Sequence, residues 1–123
     1  MTGAPMPDER TREVIEQFNR AFRQHDPGLL RNILAPDCLL ENSGPAPGGT
    51  RHVGYDECLR FWSSIAADEG TTFVVEELWT AGERAVCRWL LKWGPGADDF
   101  VRGVNVTRLE NGLIAETFGY VKG

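Results

Sequence analysis

Apolar positions along the chain change their spacing once, near residue 71, and the change predicts the architecture. Over residues 11–25, Val14, Ile15, Phe18, Ala21 and Phe22 fall on one stripe of a 3.6-residue repeat with Arg, Glu and Gln opposite, which predicts an amphipathic helix. Asp26-Pro27 reads as an N-cap followed by proline at the first helical position. It opens a short second helix that buries Leu29, Leu30, Ile33 and Leu34 and ends before Pro36. Residues 38–42 read as a short strand, and residues 43–54, rich in Gly and Pro, as a loop. A third helix is predicted over residues 55–67, with Asp56 and Glu57 in its first turn and Cys58, Leu59, Trp62, Ile65 and Ala66 on its apolar stripe.

Beyond residue 71 the period becomes two. Strands are predicted over residues 72–80, 84–93, 100–110 and 113–122. In the second of these, Ala85, Cys87, Trp89, Leu91 and Trp93 form the natural inner face. Asn111-Gly112 joins the last two strands as a two-residue turn, because both residues tolerate positive φ. A plain two-residue turn sets Leu109 opposite Ile114, Thr107 opposite Glu116, Asn105 opposite Phe118 and Gly103 opposite Tyr120. Strand alternation then gathers Asn105, Thr107, Glu116 and Tyr120 among Leu109, Ile114 and Phe118 on one face. A few polar groups on an apolar, aromatic wall is how small-molecule pockets are built. Helices followed by an antiparallel meander give an α+β domain spanning residues 1–123, with residues 1–9 as a flexible start.

Composition narrows the partners. With 13 Lys and Arg against 18 Asp and Glu, the net charge is −5, which argues against nucleic acid or an anionic membrane as partner. Three cysteines, Cys38, Cys58 and Cys87, sit at apolar-pattern positions without a CxxC, and there are two histidines, so no metal site is expected. The first residues lack the apolar core of a secretion signal, and no run reaches membrane-spanning length, so the expected location is cytoplasmic.

Several stretches carry a resemblance: residues 26–34 followed by APDCLLEN, then GxxxxLRFW over residues 54–62, and VRGVNVTRLENGLIAE closing into FGYVKG. In this order they resemble the SnoaL-like branch of the nuclear transport factor 2-like superfamily, over nearly the whole chain. The resemblance implies a cone-shaped, curved antiparallel sheet packed against three N-terminal helices, and homodimerisation across the sheet. The branch includes polyketide cyclases, ketosteroid isomerases, epoxide hydrolases and dehydratases, so fold alone does not fix function.

The ketosteroid isomerase pattern needs an Asp base, a Tyr donor and a protonated Asp donor, as in the worked example of that enzyme. On this chain the tyrosine position falls on Phe18, the base on Asn42 and the protonated acid on Asn105, all without acid–base chemistry. Asn105 can still donate hydrogen bonds to a carbonyl or oxyanion, or be a satisfied buried amide. Glu116 is the carboxylate that the hairpin register places inside, where desolvation would suit it to proton transfer. Glu41, beside Asn42, turns inward only with a bulge, and His52 is read as a solvated loop residue. Asn105, Glu116 and Asn42 are thus the catalytic candidates. Phe18, Trp62, Trp89, Phe118 and Tyr120 are the substrate-binding candidates, within an interior that also takes in Phe22, Trp79 and Trp93. Two functions stay open. One is a cofactor-independent isomerase, cyclase or dehydratase acting on a cyclic or polyketide-like molecule. The other is a non-catalytic binder of a small hydrophobic metabolite, with an interaction module as a weaker third reading.

Overall fold

A computed structural model describes residues 7–122. Helix α1 (Pro7–Arg23) is followed by a 3₁₀ turn (Pro27–Leu30), strand β1 (Leu34–Asn42), strand β2 (Thr50–Val53) and helix α2 (Tyr55–Ala66). Strands β3 (Thr72–Ala81), β4 (Arg84–Lys92), β5 (Phe100–Glu110) and β6 (Leu113–Val121) complete the chain. One six-stranded sheet runs in the order β2-β1-β6-β5-β4-β3, antiparallel throughout except where β1 lies parallel to β6. The flexible start expected for residues 1–9 lies outside the described residues for 1–6, and residues 7–9 already belong to α1.

Two α-helices, not three, pack on the sheet. Asp26 accepts a hydrogen bond from Gly28 N as foreseen, but the segment closes as a four-residue 3₁₀ turn and Leu34 already begins β1. β1 is correspondingly longer than the expected strand. β2 lies inside the stretch read as loop and pairs with the end of β1, Leu40 opposite His52 and Asn42 opposite Thr50.

The core lies between the helices and the inner sheet face. Val14, Ile15, Phe18, Ala21 and Phe22 of α1, and Cys58, Trp62 and Ala66 of α2, are all buried against Leu40, Ala85, Leu109 and Ile114. Helix α1 is also tied to the sheet by polar contacts. Thr11 Oγ1 donates to Gly82 O at 2.7 Å, and Asn19 Nδ2 donates to Cys87 Sγ at 3.6 Å. His25 holds a left-handed φ of 54° just past α1, and its ring donates from Nδ1 to Ala66 O at 3.0 Å, capping the end of α2.

The three cysteines are buried and free. Burial pushes all three thiols up from the ordinary value of 9.0, for Cys38 with a further push from Cys58. Iodoacetamide at pH 8 is therefore expected to leave the native protein unlabelled and to modify three thiols in denaturant, as counted by mass spectrometry. A thiol whose folded pKa is raised contributes stability that is complete below the unfolded pKa. Alkaline unfolding should accordingly begin as pH climbs past about 9.

Two bulges correct the expected faces. In β5–β6, Leu109 pairs with Ile114 as expected, but Arg108 pairs with Glu116, leaving Ala115 as an extra residue. From there the register shifts by one: Thr107 opposes Thr117, Asn105 opposes Gly119 and Gly103 opposes Val121. Glu116, Phe118 and Tyr120 thus move to the outer face, and Thr117 and Gly119 take the inner one. In β3 a bulge between Val75 and Glu77 sends Leu78 inward and Trp79 outward, so Trp79 is 53% exposed. Trp93 lies just beyond β4 and is 51% exposed, so neither tryptophan belongs to the interior.

Candidate functional site

A cavity of about 420 Å³ opens between α1, α2 and the inner sheet face. Phe18 and Phe22 come from α1, Phe61, Trp62 and Ile65 from α2, Phe73 from β3, and Trp89 and Leu91 from β4. Asn105 and Val101 of β5, Gly119 and Val121 of β6, Asn42 of β1 and Thr50 of β2 form the far wall. No Asp, Glu, His, Lys, Arg, Cys or Tyr lines it among the described residues.

Helical spacing and strand alternation build the apolar wall. Phe18 and Phe22, one turn apart, face the sheet with ring centroids 4.9 Å apart. Phe18 meets Trp62 edge-on at 5.0 Å, and Phe22 meets Phe73 at 5.4 Å. Phe73 in turn lies 6.2 Å from Trp89. These contacts run continuously from α2 to β4, within the range in which aromatic pairs attract beyond their buried area.

Polar groups converge at one place. Trp89 donates from Nε1 to Asn105 Oδ1 at 3.1 Å. Gly119 stands between the two asparagines. A β-carbon built there would lie 2.7 Å from Asn42 Oδ1 and 3.2 Å from Asn105 Oδ1. The absence of a side chain on Gly119 is what lets both amides reach the cavity. The structure thus brings together Phe18, Asn42, Trp62, Trp89 and Asn105.

It does not bring Glu116, Phe118 or Tyr120 to them. Glu116 Oε1 accepts from Arg108 Nε at 2.8 Å on the outer face, in an ion pair that also raises the Arg108 pKa through its hydrogen bonds to Glu116 and Glu110. Phe118 and Tyr120 border a separate, polar groove of about 240 Å³ with Glu41 and the 43–48 loop. Glu41 stays outside as strict alternation required, 3.5 Å from Arg51. The sequence reading missed Phe61, Phe73, Thr50 and Gly119. Phe73 follows directly from alternation in β3, whereas Thr50 became visible only once β2 was seen to be a strand.

His52 departs from the solvated reading. On β2 it stacks on Phe61, with centroids 4.6 Å apart and planes at 30°, and its Nε2 is buried without a hydrogen-bond partner. An unpaired buried nitrogen destabilises, so His52→Phe, which keeps the stack and removes the nitrogen, is expected to raise stability by about 1 kcal/mol in urea unfolding.

The fold recurs in solved structures. An NTF2-like protein of unknown function from Mesorhizobium loti is 43% identical, with 98% of each chain covered and a TM-score of 0.88. A provisionally named ketosteroid isomerase from Kribbella flavida is 21% identical over 98% of this chain and 83% of its own, with a TM-score of 0.81. A provisionally named polyketide cyclase from Sinorhizobium meliloti is 21% identical over 87% of this chain and 93% of its own, with a TM-score of 0.70. At that identity, the last two show the fold alone. No curated protein matches the sequence. The profile of the SnoaL-like domain matches residues 15–117, most of the chain, and with the Mesorhizobium relative it shows that this protein belongs to the SnoaL-like family of NTF2-like folds.

Proposed function

We propose that this protein binds a neutral, flat, largely apolar small molecule in the aromatic cavity and does so without catalysing proton transfer. The observation that carries the reading is the lining itself: six aromatic side chains, two carboxamides and a threonine, with no ionisable side chain among the described residues. A buried charged ligand would find no counter-ion there, whereas a planar apolar one gains roughly 25 cal/mol for each Å² of its surface removed from water. General acid–base catalysis needs a group that titrates within reach of the substrate. Glu116, the carboxylate that kept the isomerase or cyclase reading open, is held by Arg108 on the opposite face of the sheet.

Titration of intrinsic tryptophan fluorescence with cyclic ketones, sterols and aromatic polyketides tests this. Saturable one-to-one quenching without turnover is the expected result. A response from none of these classes, or product formation from any of them, overturns it. Gly119→Ala is expected to weaken binding of a responding ligand roughly tenfold, because its methyl group pushes both amides aside.

The same proposal includes a homodimer through the outer sheet face. That face carries Val86, Val104, Val106 and Phe118 with Trp79 and Tyr120, the last two more than half exposed. The ion pairs Arg88–Glu77, Arg102–Glu76 and Arg108–Glu116 surround it. An apolar sheet surface edged by charge fits a self-complementary contact. Sedimentation velocity should give a dimer that Val106→Glu converts to monomer.

A further inference from the structure

An aromatic cavity does not by itself define the polar group of its ligand, but the geometry around Asn105 does. A carboxamide turned by 180° occupies almost the same space, so an asparagine can present either two donors or one acceptor. Trp89 removes that freedom. An indole N–H can only donate, so the atom 3.1 Å from Trp89 Nε1 has to be the amide oxygen. The NH₂ group of Asn105 is then the end left for the cavity that Asn105 lines, and it makes no hydrogen bond among the described residues. Trp89 is itself packed on two sides: its six-membered ring lies flat against Gly103, where a β-carbon would sit 2.3 Å from Cζ2, and it also faces Phe73.

We infer that Trp89 is a positioning residue that locks Asn105 as a hydrogen-bond donor, so that the cavity selects planar ligands bearing an acceptor such as a ketone, quinone or lactone carbonyl. This rests on the binding reading above. It goes further in naming the polarity of the ligand and the residue that sets it. An acceptor placed against the NH₂ group completes the pairing of a half-buried amide. An unsubstituted hydrocarbon leaves that pairing unmade, and a single net hydrogen bond corresponds to roughly a three- to tenfold difference in affinity.

Fluorenone and its parent hydrocarbon fluorene serve as matched probes, with dissociation constants measured by calorimetry and the carbonyl stretch of bound fluorenone by infrared spectroscopy. In the unmodified protein, fluorenone should bind three- to tenfold more tightly than fluorene, with its carbonyl band shifted to lower wavenumber than in hexane. In Trp89→Phe the preference should fall below twofold and the band return toward its hexane position, while the affinity for both probes falls with the lost ring surface. A preference or band shift that survives in Trp89→Phe overturns the inference, as does equal binding of the two probes to the unmodified protein; fluorene binding then leaves the apolar-cavity reading standing. If neither probe binds the unmodified protein, the binding reading itself fails for this ligand class and the inference fails with it. Should Trp89→Phe lose fluorene as well, Asn105→Leu decides. The indole N–H resonance of Trp89 must then move upfield in a nitrogen-15 correlation spectrum of the ligand-free protein, and an unmoved resonance overturns the inference.

Discussion

Replacing Gly103 with alanine is expected to lower stability by about 3 kcal/mol, toward the upper end of what overpacking a core does, and to abolish ligand binding. Gly103 is buried in the middle of β5, directly opposite Trp89. A β-carbon there would lie 2.3 Å from Trp89 Cζ2, 2.7 Å from Cη2 and 2.8 Å from Cε2, well inside contact distance. The obstacle is a rigid ring, not the tip of a flexible chain. Its hydrogen bond to Asn105 and its neighbour Phe73 restrict where it can go. Lifting the indole would break that hydrogen bond and push the ring into the cavity it borders. Backbone strain plays no part, since Gly103 has no positive φ among the glycines that do. Two controls isolate the cause in urea unfolding. Gly48→Ala, with nothing within 4 Å of its β-carbon, should be neutral within about 0.5 kcal/mol. Combining Gly103→Ala with Trp89→Leu should cost less than the sum of the two single changes, because the leucine no longer occupies the disputed space.

This contact also shows how far the sequence could be read. Local patterns were legible: the α1 stripe, the Asn111-Gly112 turn, whose residues hold φ of 54° and 77°, and all four C-terminal strands. Of the residues named from the sequence, Phe18, Asn42, Trp62, Trp89 and Asn105 line the cavity. What failed was carried by bulges. One extra residue at Ala115 moved Glu116, Phe118 and Tyr120 to the far face, and one near Glu76 did the same to Trp79. The adjacent buried pair Ile114-Ala115 breaks strict alternation and was a sign of the first bulge. So was the charge pairing of Arg108 with Glu116, which is favourable only in the shifted register. The role of Gly119 depends on β1 lying parallel to β6 from far away in sequence, and no local period carries that information. β2 was hidden because four residues inside a Gly- and Pro-rich loop are too few for a period of two to show.

Asn42→Asp is expected to give the cavity the base it lacks. Asn42 ends β1 beside Gly119, at the position where the ketosteroid isomerase pattern carries its proton-transferring aspartate, and its side chain lines the aromatic cavity. The substitution is nearly isosteric, so the fold should survive while a titrating oxygen replaces an amide. Partial desolvation by the surrounding rings should raise the carboxyl above its unfolded value of roughly 3.9. Glu41, next in sequence and directed to the other face, adds a like charge that acts in the same direction. The sign for stability follows. A carboxyl with a raised folded pKa binds more protons in the native state than in the unfolded one, so stability relative to the unmodified protein falls as pH rises. The variant should match the parent near pH 3 and trail it by about 1–2 kcal/mol at pH 8, a range kept small because Asn42 is half-buried. In the same pH range the ionised carboxylate should isomerise a β,γ-unsaturated cyclic ketone at least about 100-fold faster than the unmodified protein, the lower end of what a positioned base supplies. Following conjugation of the double bond by ultraviolet absorbance across pH 4–8 checks both consequences, because the rate should rise over the interval in which stability falls. A loss of stability without a gain in rate would mean that a bound ketone does not lie against Asn42, and would place its carbonyl and reacting carbons away from the end of β1.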